Sequence, residues 1–142
     1  MIVLDAYALV AFLRGERAAD DVAEILRDAS VLSAANAAEV LDQLVRVHGR
    51  AADDVHGDLA VLSFAGMELA PMTAEIGMSG GRLRARHYHR TAMAVSLADC
   101  IAAATALSLD RPLATADPTL AAMVRAEGGQ VRGLVDSHGR LP

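Results

Sequence analysis

The stretch Ser96-Leu97-Ala98-Asp99-Cys100-Ile101-Ala102-Ala103-Ala104-Thr105-Ala106, followed after a short gap by Pro112-Leu113-Ala114-Thr115-Ala116-Asp117-Pro118, decides the fold. Its first part reads as an apolar helix with a carboxylate in the first turn. Ser96 and Asp99 have the spacing of a capping box, with Asp in place of the usual Glu. The small residues that dominate this helix let neighbouring elements come close to its backbone. The second part is a short strand that runs into an acid, and Pro118 suits the first position of another helix. Helix, strand and helix joined so tightly are the pattern of a parallel α/β sheet.

The same alternation extends in both directions. Met1 to Leu4 is an apolar strand ending at Asp5, and Ala6 to Arg14 is a helix stopped by Gly15. Glu16 to Asp28 is an amphipathic helix, and Val31-Leu32 a brief strand. Ser33 caps a helix that runs to about His48 and stops at Gly49. Ala52 to Phe64 is helical, and Met67 to Met72 is a strand placed at an edge or terminus by Pro71. Thr73 to about Arg90 is mostly helical, with Gly77, Gly80 and Gly81 predicting a kink, a break or mobility in its first half. Pro118 to Glu127 is a helix, Gln130 to Val135 a last strand and Asp136 to Pro142 a polar tail. The expected architecture is α/β, one domain over residues 1–142, with helices on both faces of a parallel sheet.

Composition narrows the function. A chain of 142 residues can bury a usable core. It has no apolar run long enough to span a bilayer, which takes about 18 residues, and its N-terminus meets an acid too early for a signal peptide. One Cys excludes an internal disulfide and a multi-Cys zinc site, so a reducing cytoplasm is the simplest setting. The net charge is -5, and all thirteen basic residues are Arg. An acidic chain is a poor non-specific binder of nucleic acid, so any such contact is local or mediated by a cation.

Four acids stand out: Asp5 and Asp117 at strand ends, Glu39 and Asp99 in early turns of helices. Asp5, Asp99 and Asp117 each read equally as a helix cap or a functional acid. Glu39 lies in the second turn of a helix that Ser33 already caps, in a largely apolar neighbourhood. In a parallel sheet, ligands bind beyond the carboxyl ends of the strands, the edge toward which all four would point. Two unit charges about 4 Å apart repel by about 4 kcal/mol even at an effective dielectric near 20. Four converging carboxylates therefore call for a hard divalent cation such as Mg²⁺ or Mn²⁺.

The runs Ile2-Val3-Leu4-Asp5-Ala6-Tyr7-Ala8-Leu9, Ser33-x-x-Asn36-x-x-Glu39-Val40, Leu97-Ala98-Asp99 with Ile101-Ala102, and Leu113-Ala114-Thr115-Ala116-Asp117 resemble PIN-domain ribonucleases, in particular the VapC toxins of bacterial toxin–antitoxin pairs. The resemblance covers nearly the whole chain, in order. It implies a three-layer α/β/α PIN-like sandwich around a mostly parallel sheet of four or five short strands. It also implies a Mg²⁺- or Mn²⁺-dependent endoribonuclease whose catalytic and metal-holding residues are Asp5, Glu39, Asp99 and Asp117. A homodimer, an RNA substrate and a VapB-type antitoxin covering the site are further implications. Tyr7 departs from the Ser or Thr common two residues after the first acid, and Thr119 and Leu120 stand where many relatives carry another acid.

Supporting roles fall to Thr115, as a hydroxyl near the carboxylates, and to Asn36, as a ligand-orienting group or a first-turn partner. Arg82, Arg86 and Arg90 recur at i, i+4 in the densest basic stretch and are candidates for RNA or antitoxin contact, against the commoner reading of a solvated face. Tyr7 and Phe12 read as packing residues and Cys100 as a small buried hydrophobe. Two rival functions are a phospho-acceptor receiver domain, which the lack of any Lys opposes, and a non-catalytic PIN-like binding module.

Overall fold

The computed structural model describes residues 1–142 and contains five short strands and seven α-helices. Strands β1 (Ile2–Leu4), β2 (Ser30–Ser33), β3 (Met67–Ala70), β4 (Leu113–Thr115) and β5 (Val131–Gly133) form one sheet in the order β3-β2-β1-β4-β5. Every pairing is parallel, with Leu4 opposite both Leu32 and Ala114. The strand containing Pro71 was expected at an edge; β3 is that edge strand and ends one residue before the proline.

Side chains of the central strands alternate between two cores. Leu4, Leu32 and Ala114 join the core formed with α1 (Ala6–Arg14), α2 (Ala19–Arg27), α3 (Ala34–Asp42) and α4 (Ala52–Phe64). Val3, Val31 and Leu113 join the other, with α5 (Ala74–His87), α6 (Leu97–Leu109) and α7 (Pro118–Ala126). A strand's side chains point to opposite faces with period two, so the middle residues of the central strands are apolar on both faces and covered on both sides. The result is the expected three-layer sandwich.

Several boundaries differ from the sequence reading. The second helix begins at Ala19 rather than Glu16. The α-helix after Ser33 ends at Asp42 and continues as a π-helical turn, Gln43–Val47, before Gly49 turns the chain at φ 68°. The expected break at Gly77, Gly80 and Gly81 is absent, because α5 is unbroken from Ala74 to His87. Gly80 is buried against α6, so its missing side chain serves helix packing. Because α5 stops at His87, Arg90 lies beyond it, and Arg82, Arg86 and Arg90 do not share a helical face. No helix is long and apolar enough to cross a membrane.

Candidate active site

Asp5 follows the last residue of β1, and its backbone N–H still donates to the Ala114 carbonyl at 3.2 Å. Asp117 follows β4, the neighbour of β1, by two residues. The chain leaves β1 into the α1 layer and leaves β4 into the α7 layer, on the opposite face. The two exits diverge, which opens a crevice at the carboxyl ends of the strands, at the switch point of the sheet. Glu39 comes from α3 and Asp99 from α6. These helices cover opposite faces yet contact one another, which two such helices can do only beyond the sheet.

Each of the three Asp residues is also a helix cap. Asp5 Oδ1 accepts from the Ala8 N–H at 2.7 Å, and Asp117 Oδ1 from the Thr119 N–H at 2.7 Å. Asp99 Oδ2 accepts from the Ser96 N–H at 2.8 Å while Ser96 Oγ accepts from the Asp99 N–H at 3.0 Å, a complete capping box. Capping and convergence are thus compatible. A cap fixes one carboxylate oxygen and the direction of the other, and it adds helix N-terminal N–H groups near negative charge.

The electrostatics link the four acids. Burial pushes the Asp5 carboxyl up to about 7; the Thr115 hydroxyl and the Ala8 N–H oppose this, while Asp99 and Asp117 add to it. Burial also raises Glu39, with Asp99 adding repulsion and the Gln43 amide opposing. Asp99 is raised by burial first, against its Ser96 hydrogen bonds, and further by Asp117. Each shift is the signature of negative charge gathered in a poorly hydrated crevice.

The donor set suits a hard divalent cation, being all carboxylate oxygen. Glu39 Oε1 accepts from Gln43 Nε2 at 3.2 Å, but the buried Oε2 has no partner. Asn36, one turn earlier, is fully buried: Ser33 Oγ donates to its Oδ1 and accepts from its backbone N–H, whereas its Nδ2 is unpartnered. Orphaned buried polar groups are costly, and here they lie beside one another on α3. As the side chains stand, no three His, Cys, Asp or Glu residues close to metal-ligating spacing. The orphaned Glu39 oxygen and the oxygen-only donor set are what fit a cation.

Thr115 is buried at the end of β4, and its Oγ1 accepts from the Asp117 N–H at 3.0 Å. It thereby braces one acid and faces another. The Tyr7 hydroxyl donates to the Val135 carbonyl at 3.1 Å. Cys100 is buried and its thiol is pushed up to about 11 by burial, so it is inert. Arg86 is engaged by Glu127 at 2.7 and 2.8 Å, with His87 on the same carboxylate. Arg82 and Arg86 line a cavity of about 360 Å³ between α5 and α6, in whose lining none of the four acids takes part. Arg84 belongs to the same basic stretch, but sequence reasoning overlooked its pairing with Tyr88: the guanidinium stacks 4.2 Å from the centre of that ring. Their i, i+4 spacing was the available signal.

Comparison with known proteins adds to this geometry. The family model described as PIN domain matches residues 2–126. No curated protein sequence matches the chain. FitAcB from Neisseria gonorrhoeae has a similar structure, with a TM-score of 0.67 at 21% identity over 92% of this chain and 96% of that one. VapC20 from Mycobacterium tuberculosis, described as a sarcin-ricin loop cleaving toxin, has a TM-score of 0.67 at 16% identity, over 86% and 94% of the respective chains. VapBC2 from Rickettsia felis, solved on a DNA fragment from its promoter, gives 0.67 at 15% identity over 94% and 99%. At these identities the likeness is one of fold.

Proposed function

The chain belongs to the PIN domain family, and on that premise we propose that it is a divalent-metal-dependent endoribonuclease, the toxin of a VapBC-type pair. What supports this reading is that Asp5, Glu39 and Asp99 are each raised by burial and by the charge of another acid in the set Asp5, Glu39, Asp99 and Asp117. The structurally similar toxins, solved as or described with toxin–antitoxin systems, support an antitoxin partner. RNA as substrate, Mg²⁺ or Mn²⁺ as cofactor, a homodimer and a single domain over the whole chain belong to the same proposal. The receiver-like alternative has neither the family match nor a Lys.

Asp5, Glu39, Asp99 and Asp117 would hold the cation. When bound, a divalent ion supplies charge neutralisation for the site and polarises a phosphodiester oxygen. The protein's part is positioning. The caps on Asp5, Asp99 and Asp117 fix these carboxylates on rigid helix starts, so little reorganisation is needed as charge develops. Thr115 holds the Asp117 turn against β4. The unpartnered Glu39 oxygen is an acceptor for a water proton, and burial keeps Glu39 more basic than an ordinary carboxylate. The unpartnered Asn36 amide is a donor for a substrate or water oxygen on the same helix.

The test is cleavage of total RNA with Mg²⁺, with Mn²⁺ and in excess EDTA, for the unaltered chain and for Asp99→Asn. Expected is metal-dependent cleavage that the substitution abolishes in a folded protein. Cleavage that persists in EDTA, or in Asp99→Asn, overturns the reading.

A further inference from the structure

We propose that the pocket between Tyr88 and Leu97 is a nucleobase subsite for the RNA substrate, with the Arg84 guanidinium as its phosphate contact; this rests on the ribonuclease reading above. The pocket has a volume of about 350 Å³ and is lined by Gly81, Arg84, Ala85, Tyr88 and Leu97. That is within the range of small-ligand pockets, roughly 300–1,000 Å³. Tyr88 is 44% exposed and Leu97 55% exposed, so two large apolar groups face solvent at one place. The pocket is open at Gly81, where an added Cβ would meet nothing within 4 Å.

Arg84 is fixed without being neutralised. Its guanidinium lies 4.2 Å from the Tyr88 ring centre, and its Nε donates to the Val95 carbonyl at 3.3 Å. No carboxylate pairs with it, so its terminal nitrogens keep their donors. Arg86, two residues on, is by contrast occupied by Glu127. In a chain of net charge -5, an unpaired arginine beside an exposed ring is a local foothold for a phosphate. Arg90, exposed two residues beyond Tyr88, extends the positive side.

The other aromatic side chains do not offer this combination. Tyr7 is bonded to Val135, Phe12 packs into the α1 core, and Phe64 stands at the end of α4. Placement ties the pocket to the acids. Leu97 and Asp99 occupy the same first turn of α6, and Val95, which Arg84 holds, immediately precedes the Ser96 cap of that turn. On this proposal an RNA strand whose phosphate lies among the carboxylates passes round the first turn of α6 and brings a flanking base to Tyr88. The exposed part of the Tyr88 ring that Arg84 leaves uncovered takes a base of any identity, and Leu97 closes the apolar side. A guanidinium with free donors next to a flat ring suits a nucleotide better than an apolar peptide, which would leave those donors unmet.

The test uses the full chain carrying Asp99→Asn, so that RNA stays intact, and a mixed-sequence oligoribonucleotide containing 2-aminopurine. Tyr88→Leu is expected to weaken binding about five- to a hundredfold and to abolish the stacking-induced fluorescence change, while Tyr88→Trp retains both. Arg84→Gln is expected to lower the salt slope by about one, which Tyr88→Leu leaves in place. Equal affinity of Tyr88→Leu and its parent overturns the proposal, as does Tyr88→Leu binding as well as Tyr88→Trp. Loss of antitoxin binding with RNA affinity intact assigns the pocket to a protein partner and also overturns it. Failure of the unaltered chain to cleave RNA sinks the ribonuclease reading and the subsite together; cleavage with no Tyr88 effect sinks the subsite alone.

Discussion

Gly80 and Ile101 mark a close approach between α5 and α6: a Cβ at Gly80 would fall 2.6 Å from Ile101 Cδ1 and 3.3 Å from the Cys100 carbonyl oxygen. A glycine in mid-helix usually weakens the helix, and here it lets two helices touch. Because α6 carries Asp99 in its first turn, this contact also sets where that acid stands relative to α5.

Gly80→Ala is therefore expected to destabilise the protein by about 1–3 kcal/mol through overpacking. Gly77→Ala, whose Cβ meets nothing within 4 Å, is expected to stabilise it by up to about 1 kcal/mol through helix propensity. Ile101→Val in the Gly80→Ala background should recover part of the loss, because it removes Cδ1. Chemical denaturation of the four proteins checks this, and equal effects of the two alanines contradict it.

Asp5 makes the protein's stability pH-dependent. Its folded carboxyl is raised to about 7 from an ordinary 3.8, so the folded state binds the proton more tightly than the unfolded chain. In the absence of a divalent ion, this group's contribution is most favourable below 3.8, declines between there and about 7, and is fully lost above. Glu39 and Asp99 shift in the same direction. Asp5→Asn keeps an oxygen for the Ala8 N–H and removes the titration. In EDTA at about pH 8 it is expected to be more stable than the parent by on the order of 2–4 kcal/mol, and to lose stabilisation by Mg²⁺. Thermal unfolding across pH, with and without Mg²⁺, decides; overlapping profiles for the two proteins reject the account.

Thr115→Val removes the acceptor of the buried Asp117 N–H bond and the hydroxyl that opposes the rise of Asp5. A cost of about 1–3 kcal/mol is expected from the unmet donor. The pH midpoint of the Asp5-linked stability loss should move further upward, and Mn²⁺ binding should weaken. Unchanged metal affinity measured by calorimetry, together with an unmoved midpoint, contradicts the bracing role.

Arg86→Gln is expected to cost less than about 1 kcal/mol, since its ion pair with Glu127 is largely exposed on the arginine side. Because that guanidinium already has a carboxylate partner, the substitution should leave the salt slope of RNA binding nearly unaltered, whereas Arg90→Gln should lower it. A larger change in slope from Arg86→Gln than from Arg90→Gln reverses this ranking.

The residues by themselves determined the order of helices and strands, the parallel layering and the strand ends and early helical turns on which the four acids stand. These are local or periodic properties: apolar runs at strand length, cap residues and Pro118 act over a few positions and survive in the linear text. The tertiary structure alone decided what Gly80 does, because a helix breaker and a helix-packing contact have the same sequence and differ only in what lies opposite. It also placed Arg90 beyond the end of α5, gave Arg86 to Glu127, and stacked Arg84 on Tyr88. Burial is the deepest of these differences. Asp5 and Asp99 read equally as caps or functional acids in the chain, and only the folded sheet and its helices withdraw them from water and make these capping carboxylates hold their protons more tightly.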